Sequence, residues 1–114
     1  MSLKTWIDKI PADLKEDVKV FSIRHHIALK SMLNDAIREY MEQVPSEKVK
    51  WIHPRLSTFT GEEIPWLIMI NKDLYKDIKI LSIELDKRVF DLVNSAFIQY
   101  MENHDTEETT ETAD

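Results

Sequence analysis

The spacing of apolar residues predicts two long amphipathic helices, one in each half of the chain. Apolar residues in the stretch 29–41 recur every three or four positions, which places them along one helical face over three turns. The stretch 89–101 repeats that spacing. Ala36 and Ala96 lie within the two apolar faces, and their small side chains would let the helices approach closely. We therefore expect the two long helices to pack together through these faces.

A shorter helix and a strand are predicted before each long helix. Leu14, Val18 and Phe21 follow helical spacing in the first half, and the second half repeats this spacing. Residues 64–70 are apolar throughout, which is typical of a strand with a covered face. Residues 4–10 hold the same place in the first half. The order strand, helix, helix is therefore predicted twice.

A shift of 60 residues aligns the two halves without a gap. The alignment runs from Trp6 with Trp66 to Glu42 with Glu102, and 13 of its 37 positions are identical. We infer an internal duplication, with residues 4–44 as the first repeat, 45–63 as a linker and 64–103 as the second repeat. A unit of about 40 residues is too small to bury a stable core alone, so the two repeats are expected to share one core.

At this point the sequence resembles a known family. The stretch Asn34-Asp35-Ala36-Ile37-Arg38-Glu39-Tyr40-Met41, placed after a strand and a short helix, looks like the ribbon-helix-helix (MetJ/Arc/CopG-like) superfamily. The stretch 94–101 is its counterpart in the second repeat. The resemblance implies a mainly α fold with a short two-stranded antiparallel ribbon, here a tandem pseudo-dimer within one chain. It also implies double-stranded DNA as the partner and a place among transcriptional repressors or plasmid and phage accessory factors.

In that family, alternate strand residues face the bases of the DNA major groove. If the strand tryptophans point inward, the predicted base-facing residues are Thr5, Ile7, Lys9, Leu67 and Met69, together with Pro65. Most of these side chains are apolar, whereas Arg, Lys, Asn and Gln are the usual hydrogen-bonding partners of base edges. The same pattern turns Asp8 inward, which is unfavourable unless the carboxylate is paired or the strand is irregular.

Phosphate contacts are expected near the N-terminal ends of the long helices, where backbone N–H groups attract anions. The predicted phosphate-binding residues are Arg24, Lys30, Lys87 and Arg88. The capping hydroxyl that is usual in the family is replaced by Ala28 in the first repeat and by Arg88 in the second.

A net charge of −6 is unusual for a protein that binds nucleic acid, but the acidic residues are not evenly distributed along the chain. Residues 104–114 contain five acidic residues and no Lys or Arg, so the rest of the chain is close to neutral. Because residues 104–114 are rich in Thr and Glu, we predict a disordered acidic tail.

Other classes of function have little support in the sequence. The chain has no Cys, no phosphate-binding glycine loop and no spaced His and carboxylate set, so we expect no catalytic residues, no metal and no cofactor. It also has no apolar run long enough to cross a bilayer and no secretory signal, and we expect a cytoplasmic protein without a membrane partner.

An alternative to DNA binding is a protein-interaction module with the same fold. Its basis is the apolar character of the predicted ribbon face and the negative net charge. It predicts an exposed apolar patch around Ile7, Leu67 and Met69 that a protein partner or a second copy of the chain covers.

Overall fold

The structure is a computed structural model that describes residues 2–43 and 52–113, with side chains as far as Asp105. Each half of the chain contributes one strand followed by two α-helices. The elements, in chain order, are β1 (Leu3–Pro11), α1 (Ala12–Arg24), α2 (Leu29–Gln43), a 3₁₀ helix (Pro54–Thr58), β2 (Glu63–Asn71), α3 (Lys72–Leu85) and α4 (Val89–Ala113). The predicted mainly helical fold with one short antiparallel ribbon is confirmed.

The two strands form one antiparallel ribbon. Their register places Ile7 opposite Leu67, and the 60-residue repeat aligns these same two residues. Because side chains alternate across a strand, the ribbon has an inner and an outer face. Ile10, Ile68 and Ile70 are buried on the inner face and join the core.

Helices α2 and α4 cover the inner face of the ribbon and pack against each other. Their apolar stripes supply much of the core, as the spacing of the sequence predicts. Ala36 and Ala96 are both buried where the two helices meet. The fully buried side chains of these helices include Met32, Ile37, Leu92, Val93, Phe97 and Ile98.

The short helices end in matching turns. His26 and Asp86, which the repeat aligns, both adopt left-handed backbone conformations with φ of 56° and 57°. The amide that follows each turn returns to a buried serine carbonyl, Ile27 to Ser22 and Lys87 to Ser82, at 2.9 Å. This hydrogen bond is typical of a helix C-terminus that ends in a left-handed residue.

Two asparagines tie the long helices to the strands of the opposite repeat. Asn34 Nδ2 donates to the Met69 carbonyl at 3.0 Å, and Asn94 Nδ2 donates to the Lys9 carbonyl at 2.9 Å. Asn34 Oδ1 also accepts the amide of Asn71 at 2.7 Å. The repeat aligns Asn71 with Pro11, which has no N–H group, and Asn94 Oδ1 accordingly has no partner among the described residues.

The segment before β2 is fastened to the start of α1. The Asp13 carboxylate accepts the amides of Thr60 and Gly61 at 3.0 Å. A Cβ atom at position 61 would lie 2.7 Å from Asp13 Oδ1 and 2.8 Å from its amide nitrogen. Only glycine therefore fits at this close approach.

Two regions bear on the predicted division of the chain. Residues 44–51, most of them in the predicted linker, lie outside the described residues. Helix α4 continues to Ala113, so the described backbone is helical where the sequence predicts a disordered tail. Neither Gly nor Pro occurs between Val89 and Ala113 to interrupt the helix.

Among the described helices, none combines the length and the apolar character needed to cross a membrane.

Candidate nucleic-acid interface

The outer face of the ribbon is open to solvent and carries every residue predicted to face DNA bases. Thr5, Lys9 and Pro65 are exposed there. Ile7, Leu67 and Met69 are exposed by 54%, 62% and 43%. The antiparallel register forms three cross-strand pairs on this face, namely Thr5 with Met69, Ile7 with Leu67 and Lys9 with Pro65.

An apolar ridge runs along the middle of this outer face. We use the name apolar ridge for Ile7, Leu67 and Met69. Lys9 carries the one charge among the six outward positions, and its Nζ lies 5.9 Å from the centre of the Phe90 ring. Such a surface favours contact with methyl groups over hydrogen bonds to base edges.

Below the ribbon, Trp6 packs in an aromatic cluster at the boundary of the core. Its ring stacks on Phe90 with centroids 5.6 Å apart and meets Tyr75 at 5.9 Å. Trp66 instead packs edge-on against Phe97 and lies under the ammonium of Lys15. Both tryptophans hold the inner side of the ribbon in place, which orients the ridge outward.

Asp8 also lies on the inner face and is fully buried. Neither side-chain oxygen has a hydrogen-bond partner among the described residues. Burial is the main reason that the pKa of Asp8 is raised to about 8; the backbone amide of Lys9 lowers it, and the carboxylates of Glu63 and Asp91 add to the rise. The strand is regular at Asp8. Because the pKa of its carboxyl is about 8, the group is protonated near neutral pH, and its burial does not place a charge inside the protein.

At the start of α2 an open surface adjoins one end of the ribbon; its cations are Lys30 and Arg38, and Arg38 is paired with Asp35 at 2.7 Å. A hollow of about 380 Å³ is lined there by Lys30, Ser31, Asn34, Asp35 and Arg38 of α2, together with the strand ends Leu3 and Asn71. The first turn of α2 contains no acidic residue. Its free backbone N–H groups therefore favour an anion. Ser31 and Arg38 were not predicted from the sequence, although their i, i+7 spacing places both on one face of α2.

At the start of α4 the predicted phosphate-binding cation, Arg88, is itself paired with Asp91 of α4 and Glu63 of β2. Asp91, in the first turn of α4, accepts hydrogen bonds from Arg88 Nε and Nη2 at 3.2 and 3.0 Å. Arg88 Nη2 also pairs with Glu63 Oε2 at 3.3 Å. The hydrogen bonds with Asp91 raise the pKa of the Arg88 guanidinium above its ordinary value. The i, i+3 spacing of Arg88 and Asp91 makes this pair readable from the sequence.

The remaining predicted phosphate residues lie in two places. Lys87 is exposed in the turn that leads into α4. Arg24 is exposed at the end of α1 and lines a groove of about 270 Å³ with Met101 and Asp105 of α4. Lys30 does not line this groove.

A metal centre has no support in the described part of the chain, where no group of three or more His, Asp or Glu side chains is arranged to hold an ion. His25 instead stacks on Phe21, with ring centroids 3.9 Å apart. Comparison of the chain with protein-family models, with curated proteins and with solved structures finds no match.

Proposed function

We propose that the chain is a single-chain tandem ribbon-helix-helix protein that binds double-stranded DNA by placing its β-ribbon in the major groove. The observation that carries this proposal is the exposed ribbon whose register opposes Ile7 and Leu67, equivalent residues of the two repeats. That pairing is the one expected if a two-fold axis relates the repeats. The crossed hydrogen bonds from Asn34 to Met69 and from Asn94 to Lys9 follow the same symmetry.

The dimensions of the ribbon suit the proposed groove. The major groove of B-DNA is about 12 Å wide and admits a two-stranded β-ribbon. In this orientation Thr5 and Lys9 reach hydrogen-bonding groups of the bases, while the apolar ridge contacts thymine methyl groups. The preference of the protein for one DNA sequence would then depend on a few hydrogen bonds to the bases and on several apolar contacts.

Phosphate binding in this proposal is asymmetric. Lys30 and the open N-terminus of α2 hold one DNA strand, and Lys87 contacts the other. Arg88 contributes little because Asp91 and Glu63 already occupy its guanidinium. Through this binding the protein would act as a transcriptional repressor or as a plasmid or phage accessory factor, as the family resemblance implies.

The test is fluorescence anisotropy with a labelled duplex from the region upstream of the gene, titrated across salt, with a scrambled duplex as reference. We expect tighter binding to the native duplex and a steep dependence on salt. Replacing Lys30 and Lys87 by Ala should lower the slope of log K against log salt by about 2, because each phosphate contact contributes close to 0.9.

Arg55→Ala is the matched control for this experiment. It removes a positive charge that pairs with Glu102, far along α4 from the ribbon. We expect its salt slope to equal that of the parent protein. No binding by the parent at low salt, or an unchanged slope in the double variant, would contradict the proposal.

A second candidate function is recognition of a protein through the ribbon. The exposed ridge of Ile7, Leu67 and Met69 favours it, because contiguous exposed apolar side chains mark interaction surfaces. In that case Leu67→Ala weakens capture of the protein partner, and DNA binding is absent at every salt concentration.

A further inference from the structure

The outer face of the ribbon carries different side chains at its two ends. At one end Thr5 lies opposite Met69, and at the other end Lys9 lies opposite Pro65. The apolar pair in the middle of the ridge separates these two ends. We call them the Met69 end and the Lys9 end. The outward side chains of the Met69 end carry no charge, whereas those of the Lys9 end include a cation.

The internal repeat makes this difference between the ends informative. A shift of 60 residues aligns Lys9 with Met69 and Thr5 with Pro65. Two identical strands in this register would give both ends of the ribbon the same pair of side chains. Here one position holds an ammonium group in β1 and an apolar thioether in β2. A DNA site that matches both ends therefore cannot be a palindrome.

The Lys9 side chain is free to contact a base. Lys9 is exposed and has no ion-pair partner among the described residues, because Glu63 and Asp91, at the same end of the ribbon, are bound to Arg88. Its Nζ lies 5.9 Å from the centre of the Phe90 ring, a contact that is weak at an exposed site. In the major groove guanine presents two adjacent acceptors, which are the usual partners of a lysine. The Lys9 end therefore favours guanine.

The Met69 end favours an A·T pair. Met69 is 43% exposed, and its side chain and the methyl group of Thr5 suit contact with the methyl group of thymine. Lys30 lies beside this end, in the hollow next to the strand ends Leu3 and Asn71. In the proposed function it holds a phosphate, which carries no information on base sequence.

We propose that the chain reads a non-palindromic DNA site in one orientation, with a guanine at the Lys9 end and A·T pairs at the ridge and the Met69 end. This inference rests on the proposed function and specifies the DNA sequence that it requires. The outward residues of each strand span about 13 Å, which equals roughly four base-pair steps of about 3.4 Å. The site read by the ribbon is therefore short.

The experiment uses duplexes in which six central base pairs are fully randomised between fixed flanks. Bound and unbound duplexes are separated at moderate salt and sequenced. We expect the parent protein to enrich sequences with guanine at one end and A·T pairs in the middle and at the other end. Exchange of that guanine should weaken binding by about fivefold to tenfold.

Two substitutions make the ends alike in opposite ways. Lys9→Met gives the aligned positions of both strands the same residue, so the guanine preference should disappear and the enriched sequences should become nearly palindromic. Met69→Lys should instead add a second guanine preference at the other end. Lys4→Met is the matched control, because Lys4 belongs to the same strand but has its Nζ over the Tyr75 ring, at 4.1 Å. It should enrich the same sequences as the parent.

The orientation of the bound protein is measured separately. The chain has no Cys, so Ser2→Cys gives a single attachment point for an iron chelate that cleaves nearby DNA. Ser2 is exposed and precedes β1 at the Met69 end, where its carbonyl accepts the amide of Lys72. We expect cleavage on the A·T side of the selected site. Equal cleavage on both sides overturns the single orientation.

The outcomes separate this inference from the proposed function. Palindromic sequences enriched by the parent, a guanine preference that persists in Lys9→Met, or one that Lys4→Met loses overturns the inference alone. Binding without enrichment of any sequence also overturns it, although the DNA partner then stands. No binding of any duplex at low salt overturns both. Circular dichroism melts check that each variant folds.

Discussion

Burial of the Asp8 carboxyl beneath the ribbon links the stability of this protein to pH. The carboxyl lies on the inner face of β1, where the charges of Glu63 and Asp91 act on it, and Arg88 is bound to both of these acids. Its pKa is about 8 in the folded protein, whereas the ordinary value for an aspartate of the unfolded chain is 3.8. The folded state therefore holds a proton that the unfolded state releases between these two values.

Asp8→Asn should stabilise the protein at alkaline pH and leave it nearly unchanged at pH 4. A group with a raised folded pKa contributes stability below its unfolded pKa and loses that contribution as pH rises to its folded pKa. At pH 8 we expect a gain of roughly 2–5 kcal/mol, since a tenfold change in proton affinity corresponds to about 1.4 kcal/mol. Urea unfolding at several pH values measures this difference.

Asp77→Asn, at an exposed position of α3, is the control and should show no such gain. The explanation fails if Asp8→Asn and the parent lose stability in parallel between pH 4 and pH 8.

Alternation along the strand was enough to predict that Asp8 points inward. Sequence alone did not reveal that its oxygens stay without hydrogen bonds from the described residues, because that depends on which groups the opposing helices bring near.

The two asparagines of the long helices differ because of one proline. Asn34 makes two hydrogen bonds to the opposite strand, whereas Asn94 makes one, since Pro11 has no amide hydrogen to offer. We expect Asn34→Ala to destabilise the protein by about 2–3 kcal/mol and Asn94→Ala by about 1 kcal/mol. Denaturant unfolding of the two variants side by side measures the difference, and equal losses would contradict this account.

At the level of elements, the connections between strands and helices distinguish the two repeats more than the helices themselves do. Helix α3 begins with a side-chain cap, Asn71, which accepts the amides of Asp73 and Leu74. Helix α1 begins after Pro11 without such a cap, and Asp13 instead binds the backbone ahead of β2. The equivalent acids Asp13 and Asp73 therefore stabilise the fold through different contacts.

Asp13→Ala should destabilise the protein more than Asp73→Ala. The first substitution removes the acceptor of the Thr60 and Gly61 amides and should cost about 2 kcal/mol. The second removes only a favourable charge at a helix N-terminus and should cost less than about 1 kcal/mol. Thermal unfolding of the two variants measures their losses of stability. A larger loss in Asp73→Ala than in Asp13→Ala would refute the role assigned to Asp13.

Elements were predictable from the sequence where a periodic pattern exists, and not where the chain makes a single contact. Helical spacing located α1, α2, α3 and α4, because an amphipathic face repeats over several turns. The hydrogen bond between Asp13 and the Gly61 amide could not be predicted from a local sequence pattern, because it joins residues that are distant in sequence. The helical course of the backbone to Ala113 likewise has no periodic apolar pattern to predict it, because residues 104–114 are almost entirely polar.

Considered as a whole, the molecule presents an apolar ribbon between two helix ends of unequal charge. The repeat made the placement of the ribbon predictable, because it implied that both strands hold equivalent positions. It could not reveal the inequality of the helix ends. That inequality arises where Lys30 and Ser31 of the first repeat correspond to Phe90 and Asp91 of the second.

The most direct test of major-groove binding compares a thymine-containing duplex with the same duplex in which uracil replaces thymine. This exchange removes only the C5 methyl groups, which lie in the major groove, and leaves base pairing and the minor groove intact. If the apolar ridge contacts these methyl groups, the parent protein should bind the uracil duplex about threefold to fivefold more weakly for each methyl lost. Leu67→Ala should bind both duplexes with more similar affinity. Equal affinity of the parent for the two duplexes would contradict the placement of the ribbon in the major groove.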